Sequence, residues 1–252
     1  MNASKIIHRV LAVGDQTGIG VTQVRTAALQ AYAKPAVGYI GANEIVCGEI
    51  ARLLRLPVPV FGLAHSGVYG QPTLFCSVSF NFSEQDLPPV DPAAFVAASP
   101  QIAGGVVVFD ALVANTDRHP RNLAMSQSAG QPPAILVYDH SHALLGPKGG
   151  DGIKRLTALR DRLALNLDGQ SGGNRHCLAD HIPDAALLLE PLDRVKSLPK
   201  WWIRDVVNGA IGISATEADA AVEFLSYRVD NLRAIFQKNV HQFSKMENQH
   251  LL

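Results

Sequence analysis

Charge is scarce in this chain of 252 residues: Asp, Glu, Lys and Arg make up 17% of it, against roughly 25% in average soluble proteins. The 22 basic side chains balance the 22 acidic ones, so the net charge at neutral pH is zero. No global basic field draws in a phosphate backbone, and direct nucleic-acid binding is not expected. Disorder would need low hydrophobicity and high net charge, whereas 47% of these residues are hydrophobic. Cysteine is also rare. Cys47, Cys76 and Cys177 are odd in number and far apart, which excludes a disulfide framework and a paired-cysteine metal site. Three inert thiols fit a cytoplasmic protein. No apolar run approaches the ~20 residues that cross a bilayer. The best, Val106-Val107-Val108-Phe109, stops at Asp110. His8 and Arg9 break the N-terminal apolar stretch, and no small-residue cleavage pattern follows, so no signal peptide is expected. The length suits one or two domains with a sizeable core.

The texture changes along the chain. Residues 1–82 hold short β-prone stretches with glycine between them, and residues 93–240 read as mostly helical. Between them, residues 83–92 contain three prolines and three acids and read as a connector. Residues 241–252 form a polar tail expected to fray. Two lobes with a cleft between them fit this division. In the first region, Ile6 to Val13 reads as a strand, Gly14 to Gly20 as a turn, and Val21 to Ala33 as one or two strands. Asn43 to Arg55 reads as a helix capped by Asn43, with Ile45, Ile50, Leu53 and Leu54 on its apolar side. Leu56-Pro57-Val58-Pro59 ends it. Val58–Leu63 and Thr73–Phe80 are further strands. In the second region, Ala93 to Ala114 reads as a helix weakened or divided by Gly104 and Gly105. Ile135–Tyr138 reads as a strand, Gly146–Gly152 and Gly169–Gly173 as loops, and Thr216–Val240 as a helix.

The densest polar cluster is Asn115-Thr116-Asp117-Arg118-His119-Pro120-Arg121-Asn122, and Asp139 follows at the end of the Ile135 strand. A carboxylate, an amide five residues later and a second carboxylate leaving a strand are what phosphoryl transfer needs. One carboxylate orients the attacking hydroxyl, while the amide oxygen and the other carboxylate hold Mg²⁺. A cation for the phosphates is available in Lys34, within Tyr32-Ala33-Lys34-Pro35. Glu44 and Glu49 on the following helix are possible ion-pair partners. Five helical residues turn about 500°, so only one of the two can face the lysine, and Glu44 is favoured. Gly14, Gly18 and Gly20 form a glycine turn whose N–H groups could meet phosphate, with Gly18 and Gly20 as candidate cofactor contacts. The same segment reads equally as a plain hairpin turn.

Tyr32-Ala33-Lys34-Pro35, Asn43-Glu44, Leu56-Pro57-Val58-Pro59, Asn115-Thr116-Asp117-Arg118-His119-x-x-Asn122 and Tyr138-Asp139-His140 resemble, in order and spacing, the HipA-like kinase group. That group lies within the protein-kinase-like and phosphoinositide-kinase-like fold. Leu198-Pro199-x-Trp201 and the helix around Tyr227–Arg233 are also similar. The resemblance implies an α+β two-lobe kinase fold, with a small β-rich N-lobe carrying one helix and a larger, mainly helical C-lobe. It implies ATP and Mg²⁺ as cofactors. Lys34 would contact the nucleotide phosphates and pair with Glu44. Asp117 would be the catalytic carboxylate with His119 bracing its loop, and Asn122 and Asp139 would be metal ligands. It further implies transfer to a hydroxyl, expected to be Ser or Thr of an unidentified protein, with lipid and small-molecule acceptors as alternatives. The glycine turn is not the G-x-G-x-x-G loop of eukaryotic kinases, and His140 stands where an Asp-Phe-Gly motif has phenylalanine.

Competing readings exist. Asp117 and Asn122 taken singly are ordinary turn residues, and Glu44 is an ordinary first-turn acid. His119, His140, His142, His176 and His181, with Asp117 and Asp139, could ligate a transition metal in a hydrolase, although no H-E-x-x-H spacing occurs. His142, His176 and His181 otherwise read as surface or supporting residues, and Trp201 and Trp202 as packing. A pseudokinase that binds without phosphoryl transfer is the third reading.

Overall fold

A computed structural model describes residues 10–17, 24–65, 70–79, 88–126, 133–147, 150–165 and 175–245, with only the backbone described for 10–17 and 24–28. Strands β1 (Val10–Thr17) and β2 (Val24–Leu29) form an antiparallel pair. Strands β3 (Ala31–Pro35), β4 (Phe61–Ala64) and β5 (Leu74–Val78) form an antiparallel sheet in the order β3-β5-β4. Helix α1 (Ile40–Leu53) lies between β3 and β4 in sequence. Then come α2 (Pro92–Ala98), α3 (Pro100–Leu112), the antiparallel pair β6 (Leu123–Ser126) and β7 (Ala134–Val137), α4 (Gly152–Leu159), α5 (Ala186–Lys196), α6 (Lys200–Asn208) and α7 (Ala215–Asn239). This is a mixed α/β fold with small antiparallel sheets and a helical second half.

Helix α3 is apolar almost all round because it is buried all round: Val106, Val107, Val108, Phe109, Ala111 and Leu112 are each inaccessible or nearly so. Around it, one continuous core gathers Val46, Cys47 and Ile50 of α1, Leu188 and Leu192 of α5, and Leu225 and Phe236 of α7. Burying each such large side chain contributes about 1.5–3 kcal/mol. The buried guanidinium of Arg228 on α7 serves the same assembly. It donates to the carbonyls of Ala111, Leu159 and Arg162, the first two lying at helix C-termini that lack partners of their own. Among the described residues no single helix is long and apolar enough to cross a membrane.

Several expectations need correction. Gly14 to Thr17 belong to β1 rather than to a turn, and Gly18 and Gly20 lie outside the described residues. Helix α1 starts at Ile40, so Asn43 is inside the helix and buried rather than its cap, and Glu44 lies beyond the first turn. The inner face of α1 is Val46, Cys47, Ile50, Ala51 and Leu54, while Leu53 points outward. The 83–92 connector ends early: Asp91 caps α2 by accepting from Ala93 N at 2.9 Å, and Pro92 is its first residue. The Ala93–Ala114 segment breaks at Ser99-Pro100, where proline opens α3, and the helix runs straight through Gly104 and Gly105. Gly152 opens α4 rather than ending a loop. The tail is anchored at its start, with Phe243 buried and stacked on Phe236. Helices α4, α5 and α6 lie in the region that reads as mostly helical, but the sequence does not delimit them, and it gives no sign of strand β6.

Candidate active site

Antiparallel register places Tyr32 opposite Ser77 and Lys34 opposite Phe75, while Phe61 on β4 also lies opposite Ser77. With a two-residue side-chain period, these residues share one face of the sheet. That face forms one wall of a cavity of about 720 Å³. Val58, Pro59, Pro88, Pro89 and Val137 extend its apolar lining, and Lys34, Glu44, Arg121, Asp139 and His140 supply its polar groups.

Lys34 is the centre of an ion triad. Its Nζ lies 2.5 Å from Glu44 Oε1 and 3.0 Å from Asp139 Oδ1. Glu49, the other possible partner, pairs instead with Arg52 at 3.1 Å. Burial pulls the Lys34 ammonium down, but Glu44 and Asp139 outweigh it and hold the pKa above the ordinary lysine value. Burial likewise pushes the Asp139 carboxyl up. The Lys34 charge and the hydrogen bonds from Ser141 overcome that and hold it well below the usual carboxylate range. Both groups are therefore charged at neutral pH. Glu44 is only 2% exposed and also accepts from His140 N at 3.1 Å. Asp139 has φ of 57°, a left-handed conformation that turns the chain sharply as it leaves β7. Ala114 and Leu144, with φ of 49° and 43°, bend the neighbouring loops in the same way. Such strained residues persist where surrounding structure over-determines them, often at functional sites.

The Asn115–Asn122 loop is tied to the residue before Asp139: Tyr138 N donates to Asn122 O at 3.2 Å. Asn122 is buried and donates its side-chain amide to Asp117 O at 3.0 Å, which leaves its amide oxygen available as an acceptor. His119 accepts from Arg121 N through Nδ1 at 3.2 Å, capping the single 3₁₀ turn Pro120–Asn122 that delivers Asn122. The Asp117 carboxylate is partly exposed, 3.9 Å from the half-exposed His142 ring, and does not line the cavity itself. Among the described residues no three His, Cys, Asp or Glu side chains gather to hold a metal ion. The histidines thus do not assemble the hydrolase centre that the sequence left open. Of the surface and supporting roles open to His176, the structure gives the supporting one: it is buried against Asp110.

No family model matches the chain, and no curated protein shows significant similarity to it. Solved structures do match. The proinflammatory kinase CtkA of Helicobacter pylori aligns at a TM-score of 0.58 and 14% identity, over 84% of this chain and 91% of that one. The fold is that of a kinase. A chain of the Shewanella oneidensis MR-1 toxin–antitoxin complex of HipA, HipB and operator DNA also aligns, over 100% of this chain and 68% of that one, at a TM-score of 0.47 and 12% identity. The likeness to a kinase drawn from the motifs holds at the level of fold.

Within this kinase fold, sequence reasoning missed the residues that hold the others. Asn43 donates to Ser141 O at 2.8 Å and Gly146 O at 2.9 Å, and accepts from Leu145 N at 3.3 Å, fastening the loop after Asp139 to α1. Arg155 donates to Leu144 O, Ala114 O and Thr116 Oγ1, fastening that loop to the Asn115–Asn122 segment. Ser141 Oγ donates to Asp139 Oδ1 at 2.7 Å. Asp110 left one signal in the sequence, a lone carboxylate at the end of an apolar run.

Proposed function

We propose that this chain is an ATP- and Mg²⁺-dependent kinase that transfers the γ-phosphoryl group to a hydroxyl, on serine or threonine of a protein. In this reading residues 1–82 form the nucleotide-phosphate lobe and residues 93–240 the catalytic lobe. The observation that carries it is the ion triad of Lys34, Glu44 and Asp139 at the polar end of a cavity whose remaining lining is largely apolar. A nucleotide has this same division, a flat base joined to a polyanion. The cavity volume is within the range of small-molecule sites, roughly 300–1,000 Å³. The donor set also fits Mg²⁺, which takes hard oxygen ligands and needs few from the protein. Asp139 offers an ionised carboxylate and Asn122 an amide oxygen.

Each residue then has a task. Val58, Pro59, Phe61, Phe75 and Val137 exclude water from the base. Lys34, kept protonated by its two acids, meets phosphate oxygens. Glu44 fixes Lys34 and, through His140 N, the turn that carries Asp139. Asn122 and Asp139 are the residues that would hold Mg²⁺. Asp117, partly exposed and outside the cavity lining, orients the acceptor hydroxyl and takes its proton. ATP and Mg²⁺, when bound, supply the phosphoryl group and neutralise the charge on its oxygens.

The test needs no knowledge of the acceptor. The thermal midpoint is measured with and without ATP–Mg²⁺ for wild type and Asp139→Ala. Ligand at 100 times its dissociation constant stabilises by about 2.7 kcal/mol, a rise of roughly 5–10 °C for a chain of this size. The expected result is a magnesium-dependent rise that Asp139→Ala abolishes. No rise for wild type at millimolar ATP refutes the reading. Full phosphoryl transfer by an Asp117→Ala, Asp139→Ala double variant would refute the residue assignments.

A further inference from the structure

The kinase reading gives Asp117, Asn122 and Asp139 their tasks and leaves Arg118, inside the same motif, with none. Yet Arg118 is completely buried, a costly place for a charge unless its donors are met. On one side, Nε donates to Asp110 Oδ2 at 2.8 Å and Nη2 to Asp110 Oδ1 at 3.0 Å. On the other, Nη1 donates to two carbonyls at once: Asn122 O at 2.9 Å and Tyr138 O at 2.8 Å. The first belongs to one proposed metal ligand. The second immediately precedes the other.

Asp110 is held in turn. Its Oδ1 also accepts from Asn115 Nδ2 at 2.8 Å, and its Oδ2 lies 2.9 Å from His176 Nε2. His176 Nδ1 accepts from Leu178 N at 3.2 Å, so the ring proton sits on Nε2 and points at Asp110. The carboxylate is anchored from α3, from the Asn115 loop and from the Cys177–Leu178 turn. One planar guanidinium transmits this anchorage to the two segments that end in Asn122 and Asp139. Lysine could supply the charge but not the planar fork.

We propose that Arg118 is the positioning residue of the metal site, setting the separation of Asn122 and Asp139, with Asp110, held by His176 and Asn115, setting Arg118. This rests on the kinase reading above and deepens it. The full chain is titrated with Mn²⁺, followed by electron paramagnetic resonance, in the presence of a non-hydrolysable ATP analogue. Affinity for a fluorescent nucleotide is measured separately in EDTA. Arg118→Lys is expected to leave the EDTA affinity unchanged while raising the Mn²⁺ midpoint about 10- to 100-fold, the loss typical of groups that orient metal ligands. A merely structural role would lower the thermal midpoint and weaken both measurements together, and that result overturns the proposal. So does folded Arg118→Lys with the wild-type Mn²⁺ midpoint. Should that variant fail to fold, Asp110→Asn carries the test, since it keeps Arg118 and removes the charge holding its fork. Folded Asp110→Asn with a wild-type Mn²⁺ midpoint overturns the proposal equally. Wild-type protein that binds no nucleotide overturns the kinase reading and this inference with it. Wild type that binds nucleotide and Mn²⁺ beside an unshifted variant overturns this inference alone.

Discussion

Gly104 and Gly105 stand side by side in the middle of α3, and their surroundings give them opposite sensitivities to the same substitution. A Cβ on Gly104 would lie 2.2 Å from the carbonyl oxygen of Leu187 and 2.9 Å from its carbonyl carbon. Those are backbone atoms, and no rotamer change moves them. Either α3 or the start of α5 must retreat by about 1 Å to restore van der Waals contact. Overpacking of this kind costs ~1–3 kcal/mol, and two backbones in the core put Gly104→Ala at the upper end. Alanine returns about 1 kcal/mol of helix propensity, so the net loss is about 2 kcal/mol. A Cβ on Gly105 meets only Leu56 Cδ2, at 3.0 Å. That atom is the tip of a flexible side chain, and small adjustments clear it. Gly105→Ala is therefore neutral or stabilising by up to about 1 kcal/mol. At 2–4 °C per kcal/mol for a chain of this size, Gly104→Ala lowers Tm by roughly 4–8 °C and Gly105→Ala raises it by at most roughly 4 °C. Calorimetry supported by urea unfolding with unchanged m-values measures both. Gly104→Ala as stable as wild type, or equal shifts for the two variants, would refute the packing argument.

Two further outcomes follow from the ion triad. Glu44→Gln keeps the shape of a buried side chain but leaves Lys34 with Asp139 alone; removing one member of a buried pair costs about 3–5 kcal/mol, and the partial exposure of Lys34 with its second carboxylate reduces this to about 1–2 kcal/mol. Urea unfolding measures it, and an unchanged midpoint contradicts the role given to Glu44. Acid stability tests the carboxylates. Burial pushes the Asp139 and Asp110 carboxyls up, but Lys34 and Ser141 outweigh it at Asp139 and Arg118 and His176 outweigh it at Asp110, so both folded pKa values lie below the ordinary one. A depressed folded pKa contributes stability that is present above the unfolded value of about 3.9 and is lost as pH falls toward the folded value. Tm should therefore fall between about pH 5 and about pH 2, and Asp139→Asn should flatten that fall. A variant with the full wild-type slope would show that the triad is not formed in solution.

The part of this site that could be read in the sequence was the part made of uncommon residues in a fixed order. In a chain poor in charge, Lys34, Glu44, Asp117 and Asp139 stand out singly, and their spacing carries meaning without coordinates. The supporting residues could not be found that way. His176 meets Asp110 across 66 positions, and nothing local to either residue announces the other. Secondary structure failed for other reasons. Helix α5 holds Pro191 in its interior, which reads as a break. Helix α6 is short, and Ile203 and Val207 at i,i+4 spacing, both buried, are its only buried residues. In α3 the glycine pair reads as the weak point, but a glycine pressed against a neighbouring backbone is a packing device, and Ser99-Pro100 makes the break instead.

Asn43 shows most plainly what local rules leave out. An Asn near a helix start is ordinarily a cap, yet here it lies inside α1 and fastens the loop after Asp139, while the next residue, Glu44, holds Lys34 and His140 N. Successive helical residues diverge by about 100°, so two neighbours serve one loop only because that loop, from His140 to Gly146, wraps across the helix. Moving α1 away from Lys34 would therefore break the three Asn43 bonds and the His140 N bond together. At about 1 kcal/mol net for each hydrogen bond, the displaced state lies about 4 kcal/mol higher and is populated well below about 1%. A ligand that favoured a swung-out helix would first have to overcome that difference. The same bonds hold Glu44 beside the turn that carries Asp139 before any ligand arrives, so binding energy at this site is not spent on bringing those two together.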